Sequence, residues 1–119
     1  MNDISTEVNV VADELYLGKV VRDGKVAVLY SPEYGAGWST WDMTYGEALI
    51  FDPTIVKYVE EDNLEALEAY VLLKYPNFYT GGMHNLTIKW IPVGTEFRID
   101  EYDGNESVVT RDQDNWFVA

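Results

Sequence analysis

The chain has 119 residues, with 21 Asp and Glu against 8 Lys and Arg for a formal charge of −13 at pH 7, no Cys, and 47% hydrophobic residues. Four Trp, nine Tyr and four Phe supply enough apolar surface to offset the entropy of ordering one domain over 1–119, with a polar start over 1–7 expected to be flexible and a few residues at the other end open to fraying. This composition excludes disulfides, thiolate metal sites and cysteine nucleophiles, and it disfavours direct nucleic-acid binding, which rests on Lys and Arg displacing counterions.

The first readable unit is a hairpin. Leu15 to Val21 and Lys25 to Tyr30 are β-rich runs joined by Arg22-Asp23-Gly24, where Asp-Gly supplies the positive φ of a tight turn. Val26, Val28 and Tyr30 fall on one face, and Ser31-Pro32 ends the strand because Pro removes a ladder donor. The stretch Tyr34-Gly35-Ala36-Gly37-Trp38-Ser39-Thr40-Trp41 then packs two glycines among three large aromatics. Asp42 or Thr44 is placed to cap a short helix over Tyr45 to Phe51, and Asp52-Pro53 opens the next, with Asp as N-cap and Pro at the first helical position. Ile55, Val56 and Val59 face inward. A third helix runs from about Asn63 to Lys74, with Leu64, Leu67 and Val71 inward, Glu61, Glu65 and Glu68 outward, and Pro76 as its stop.

Gly81-Gly82 marks a loop, after which the period returns to two. Leu86, Ile88 and Trp90 alternate with Thr87 and Lys89, and Phe97, Ile99 and Glu101 with Arg98 and Asp100. Pro92-Val93-Gly94-Thr95 and Asp103-Gly104-Asn105 are turns, Ser107 to Arg111 returns as a strand, and Trp116 to Val118 is a short closing strand. The order of strands, helices and strands predicts an α+β fold: a mainly antiparallel sheet of about five strands, with two to three helices from the middle of the chain packed on one face.

No catalytic constellation emerges. His84 is the only His and there is no Cys, so a nucleophile with an imidazole base and an orienting group is not assembled, and a transition-metal site would be poor in nitrogen ligands. Carboxylates are too abundant for any pair to stand out as an acid and base. Asp100, Asp103, Asn105 and Glu106 carry oxygen ligands without the spacing of a calcium loop, and turn chemistry accounts for Asp103-Gly104-Asn105. Gly35-Ala36-Gly37 lacks the third Gly and the following Lys or Ser of a phosphate cradle. No catalytic residue, metal site or cofactor is expected.

Two groups remain as candidate binding residues. Tyr34, Gly35, Gly37, Trp38 and Trp41, with Tyr79, Gly81 and Gly82, combine rings of the type that dominate binding hot spots with glycines that let a backbone come close; the plainer reading makes the Trp rings core plugs. Glu60, Glu61, Asp62, Glu65 and Glu68 form an acidic stripe whose like charges repel at helical spacing; the plainer reading is a solvated face. No apolar stretch approaches the roughly 20 residues of a membrane helix, and the start lacks the basic and apolar regions of a secretory signal. A cytoplasmic protein without membrane contact is expected, and an exposed Trp-rich loop or a free terminal strand would allow a homo-oligomer.

The runs Lys25-Val26-Ala27-Val28-Leu29-Tyr30-Ser31-Pro32, Tyr34-Gly35-Ala36-Gly37-Trp38-Ser39-Thr40-Trp41 and Phe97-Arg98-Ile99-Asp100-Glu101-Tyr102-Asp103-Gly104 resemble a family of small uncharacterised acidic proteins encoded by bacteriophages and prophages. The resemblance covers most of the chain after about Lys19 and brings no catalytic residues with it. It implies an accessory factor in the host bacterial cytoplasm, of the kind that inhibits host defence or host enzymes. The leading expectation is therefore a non-enzymatic binding protein whose acidic surface engages a basic site on a host protein, as an inhibitor or a nucleic-acid mimic. The alternative is a binder of a nucleotide-like or other planar molecule in the aromatic and glycine loops, aided by Arg22, Arg98 or Arg111.

Overall fold

A computed structural model describes residues 14–33, 37–41, 44–77 and 81–111. The start over 1–7, the strand expected at Trp116 to Val118, and Tyr34, Gly35, Asp42 and Tyr79 lie outside the described residues. In chain order the elements are β1 (Glu14–Tyr16), β2 (Lys19–Arg22), β3 (Lys25–Tyr30), a 3-10 turn at Ser39–Trp41, α1 (Glu47–Phe51), α2 (Pro53–Glu60) and α3 (Leu64–Lys74). A second 3-10 turn, Gly81–Asn85, leads into β4 (Thr87–Pro92), β5 (Phe97–Tyr102) and β6 (Asn105–Thr110). The fold is α+β.

Strands β1 to β4 form one antiparallel sheet in sequence order, and β5 and β6 form a separate two-stranded ribbon. Side-chain alternation assigns the two faces of the sheet to different cores. Val20, Ala27 and Leu29, with Ile88 and Trp90 at their edge, pack against Leu49, Ile55, Val56, Leu67 and Val71 of the helices. Val21, Val26, Val28 and Ile91 pack against Phe51 and against Phe97, Ile99 and Val108 of the ribbon. Helices α2 and α3 thus cover one face as expected, α1 reaches both cores through Leu49 and Phe51, and the last hairpin lies over the other face instead of extending the sheet.

Local chemistry accounts for most boundaries. Asp52 caps α2, its Oδ1 accepting from the N–H groups of Thr54 at 2.8 Å and Ile55 at 3.2 Å, with Pro53 as the first helical residue. Asn63 Oδ1 accepts from the Ala66 N–H at 3.1 Å and opens α3. The cap expected for α1 is not a side chain: Gly46 stands before Glu47 with φ of 49° and no side-chain cap. Leu64, expected inward, is 42% exposed: it lies two turns before Val71 on the same side of α3, but in the first turn of the helix, where it borders a shallow depression beside Met83 and His84.

The strand read over Leu15 to Val21 is two strands. Leu17 and Gly18 form a two-residue turn between β1 and β2, with φ of 54° and 79°, the same pattern as Asp23-Gly24 at 52° and 75°. Asp-Gly announces such a turn; Leu-Gly does not, since a bulky side chain at positive φ is strained. Leu17 is 80% exposed, so its side chain gains nothing that offsets the strain. Leu17→Asn is expected to raise the unfolding free energy by about 1 kcal/mol, read as a higher urea midpoint at unchanged slope; a lower midpoint would contradict it.

Candidate functional site

Trp38 belongs to the core. Its ring is fully buried and its indole N–H donates to the Leu49 carbonyl at 2.7 Å, tying the loop to α1. It therefore offers no surface to a ligand or partner. Gly37 is buried beside it, and a Cβ there would stand 2.8 Å from both Thr40 Oγ1 and Trp41 Cδ1, so the position accepts only glycine without a shift of those neighbours. Trp41 is the outer ring of the pair, 42% exposed.

The loop is held down by an acid. Glu106, on the inward face of β6, is 1% exposed. Its Oε1 accepts from the Ser31 N–H at 2.9 Å, and its Oε2 accepts from the N–H groups of Trp38 at 2.7 Å and Thr40 at 3.0 Å and from the Thr40 hydroxyl. The Glu106 N–H in turn donates to the Ser31 carbonyl at 2.8 Å, so the end of β3 and the ribbon are linked in both directions. A carboxylate with this many N–H and O–H donors substitutes for lost water. Glu101 lies directly across the ribbon from Glu106. The Gly104 N–H donates to it at 2.7 Å, and that bond, with a second from Trp41, holds the Glu101 carboxyl below the usual carboxylate range. Both acids are occupied in fastening the loop and turn.

A second buried carboxylate organises the helices. Besides capping α2, Asp52 accepts at Oδ2 from the hydroxyls of Tyr70 at 2.8 Å and Tyr75. Burial first, and the bond to Asp52 second, push the Tyr75 phenol far up; the same causes in the same order raise Tyr70. The Tyr75 ring meets Tyr45 edge-on at 4.9 Å, so this corner is a packed aromatic cluster around one charge.

The acidic stripe is divided differently. Glu60 makes a two-pronged ion pair with Arg22 at 2.7 and 2.8 Å, and the Arg22 guanidinium lies 4.5 Å from the centre of the Trp90 ring. Arg98 pairs with Asp100 and Arg111 with Glu96, each at 2.8 Å. Glu61 and Asp62 in the α2–α3 turn, and Glu65 and Glu68 on α3, are exposed, and among the described residues none is ion-paired with a Lys or Arg. Glu61 follows the C-terminal end of α2, where the helix dipole disfavours negative charge, while Glu65 in the first turn of α3 is favoured.

The structure therefore separates the two candidate groups. Gly37, Trp38 and Trp41 sit with Glu101 and Glu106 at the ribbon. Gly81 and buried Gly82 belong to the 3-10 turn before β4, whose Met83 and His84 line a shallow depression of about 60 Å³ with Asp62, Asn63 and Leu64; this joins the glycine turn to the acidic corner. Arg98 and Arg111 share an open groove of about 520 Å³ with Phe97 and Val109, but each already faces its own carboxylate, and Arg22 is held elsewhere. Among the described residues no group of three or more His, Asp or Glu gathers as for a metal ion, and no helix is long and apolar enough to cross a membrane. Comparison of the chain with protein-family models, with curated proteins and with solved structures finds no match in any of the three.

Proposed function

We propose that this is a non-enzymatic binding protein of the phage-accessory type, whose acidic α2–α3 corner engages a basic surface on a host protein in the bacterial cytoplasm and thereby inhibits it or occupies a nucleic-acid-binding groove. The observation that carries this reading is that Glu61, Asp62, Glu65 and Glu68 stand exposed and close in sequence around one helix junction, with no ion-pair partner among the described residues. The three pairs Arg22–Glu60, Arg98–Asp100 and Arg111–Glu96 engage all the arginines of the chain elsewhere, and Lys57, one turn before Glu61 in the last turn of α2, is a single cation beside four carboxylates. The negative field of such a corner speeds association with a cationic surface and weakens as salt screens it.

The buried position of Trp38 and the hydrogen bonds that engage Glu101, Glu106 and Asp52 favour this reading over a pocket at the aromatic loop. Those three carboxylates serve to keep the loop, the turn and the helices in place. The test compares two variants of equal charge. E61Q/D62N/E65Q/E68Q is expected to reduce capture of basic proteins from bacterial lysate at low salt by tenfold or more, while D23N/E33Q/E47Q/D103N, which neutralises four exposed acids elsewhere, changes it little. Equal losses in both would reduce the effect to net charge and remove the corner as a site.

A further inference from the structure

The outward face of α3 is apolar as well as acidic. At 3.6 residues per turn, Leu64, Glu68 and Leu72 form one row along the helix and Glu65, Ala69 and Leu73 the next, and all six are exposed. Leu72 is 63% and Leu73 84% exposed, although they follow Val71, which is fully buried. A helix with apolar residues on both its buried and its solvent side is built to be covered on the second side too. Ala69 leaves the middle of its row low, between Glu65 and Leu73, which gives a ridge from a second helix somewhere to settle.

Charge decides among the occupants. The segments 1–13 and 112–119 contain Asp3, Glu7, Asp13, Asp112 and Asp114 and no Lys or Arg, so either would bring carboxylates against Glu65 and Glu68. A second copy of the chain brings a formal charge of −13 to the same face. A segment with apolar residues on one side and Lys or Arg beside them meets the leucines and the carboxylates together. From this we infer that the outward face of α3 is a docking groove for a cationic amphipathic helix of the partner, with Leu72 and Leu73 as its apolar anchors and Glu61, Asp62, Glu65 and Glu68 as its charged rim. This rests on the proposed binding of a basic protein and adds the shape of what is bound.

The test uses the full chain and two synthetic peptides of equal length and charge: one with Leu along one helical face and Lys along the other, and one in which Gln replaces every Leu. Affinities are measured by calorimetry at low salt. The Leu-Lys peptide is expected to bind the wild type more tightly than the Gln-Lys peptide. L72S/L73S, at positions too exposed to threaten the fold, is expected to weaken the Leu-Lys peptide by tenfold or more and leave the Gln-Lys peptide unchanged, whereas E61Q/D62N/E65Q/E68Q weakens both. Unchanged Leu-Lys affinity in L72S/L73S overturns the apolar docking and leaves the charged corner standing. Failure of both peptides to bind the wild type overturns both. A free protein that sediments as a dimer and becomes a monomer in L72S/L73S makes a second copy the occupant and overturns the inference.

Discussion

Replacing Glu106 by Ala is expected to lower the unfolding free energy by about 4 kcal/mol, a large share of the roughly 5–15 kcal/mol that holds a domain of this size together. The side chain accepts from three backbone N–H groups and one hydroxyl in a site with almost no solvent access. Ala would leave all four donors without an acceptor, and the loop from Gly37 to Trp41 would lose its attachment to the ribbon. Glu106→Gln is the graded control. Its amide can turn its oxygen toward Trp38 and Thr40 and its NH2 toward the Ser31 N–H, so one bond is lost and two donors face each other, for about 2 kcal/mol. Urea unfolding followed by Trp fluorescence reads both variants, since Trp38 is fully buried in the folded protein. A loss below about 1 kcal/mol for the Ala variant would mean that the loop is held by its apolar packing and not by the carboxylate.

Asp52→Ala is the second large effect, about 3 kcal/mol: roughly 1 from the lost cap of α2 and the rest from the hydroxyls of Tyr70 and Tyr75 left without their acceptor. Asp52→Asn should cost less, about 1 kcal/mol, because its oxygen still caps the helix and a hydroxyl can rotate to accept from the amide. The same cluster sets an alkaline limit. The phenols of Tyr70 and Tyr75 hold their protons more tightly folded than unfolded, from ordinary values of 10.0, so the unfolded chain releases them first as the pH rises. The stability they contribute is intact below pH 10 and falls progressively above it. Lys74, whose ammonium lies 3.3 Å from the Tyr70 hydroxyl and is raised by it, acts in the same direction above its ordinary 10.5. Thermal unfolding scanned across this range should show Tm falling from about pH 10 in the wild type and falling less steeply in Asp52→Ala; parallel curves would detach the tyrosines from Asp52.

Much of the fold is written in local chemistry. Asp52-Pro53 and Asn63 open α2 and α3, Asp23-Gly24 and Asp103-Gly104 turn two hairpins, and the period-two runs place Val26, Val28, Phe97 and Ile99 on shared faces. Leu17-Gly18 was not legible as a turn because its first residue is the wrong type for positive φ. The separate ribbon was not legible either, since alternation says which residues share a face and not which sheet that face covers. Glu106 was within reach. A two-residue turn at Asp103-Gly104 sets Glu101 opposite Glu106, and its parity with Val108 puts it inward, but a lone acid in an acidic chain does not announce that a loop distant in sequence supplies its donors. For the same reason Trp38 and Trp41, alike in the sequence, end with one ring in the core and the other at the surface.

The function proposed for the chain comes from what these attachments leave over. Glu106, Asp52 and Glu101 serve inside or against the fold, and Glu60, Glu96 and Asp100 answer arginines, while the carboxylates of the α2–α3 corner face solvent. The most direct measurement is to follow the backbone amide signals of the protein by NMR while a lysine-rich peptide is added at low salt. Perturbations concentrated from Glu61 to Leu73 and reversed by added salt are the predicted result. Shifts spread evenly over the acidic residues of the whole chain, or centred on Trp41 and the ribbon, would contradict it.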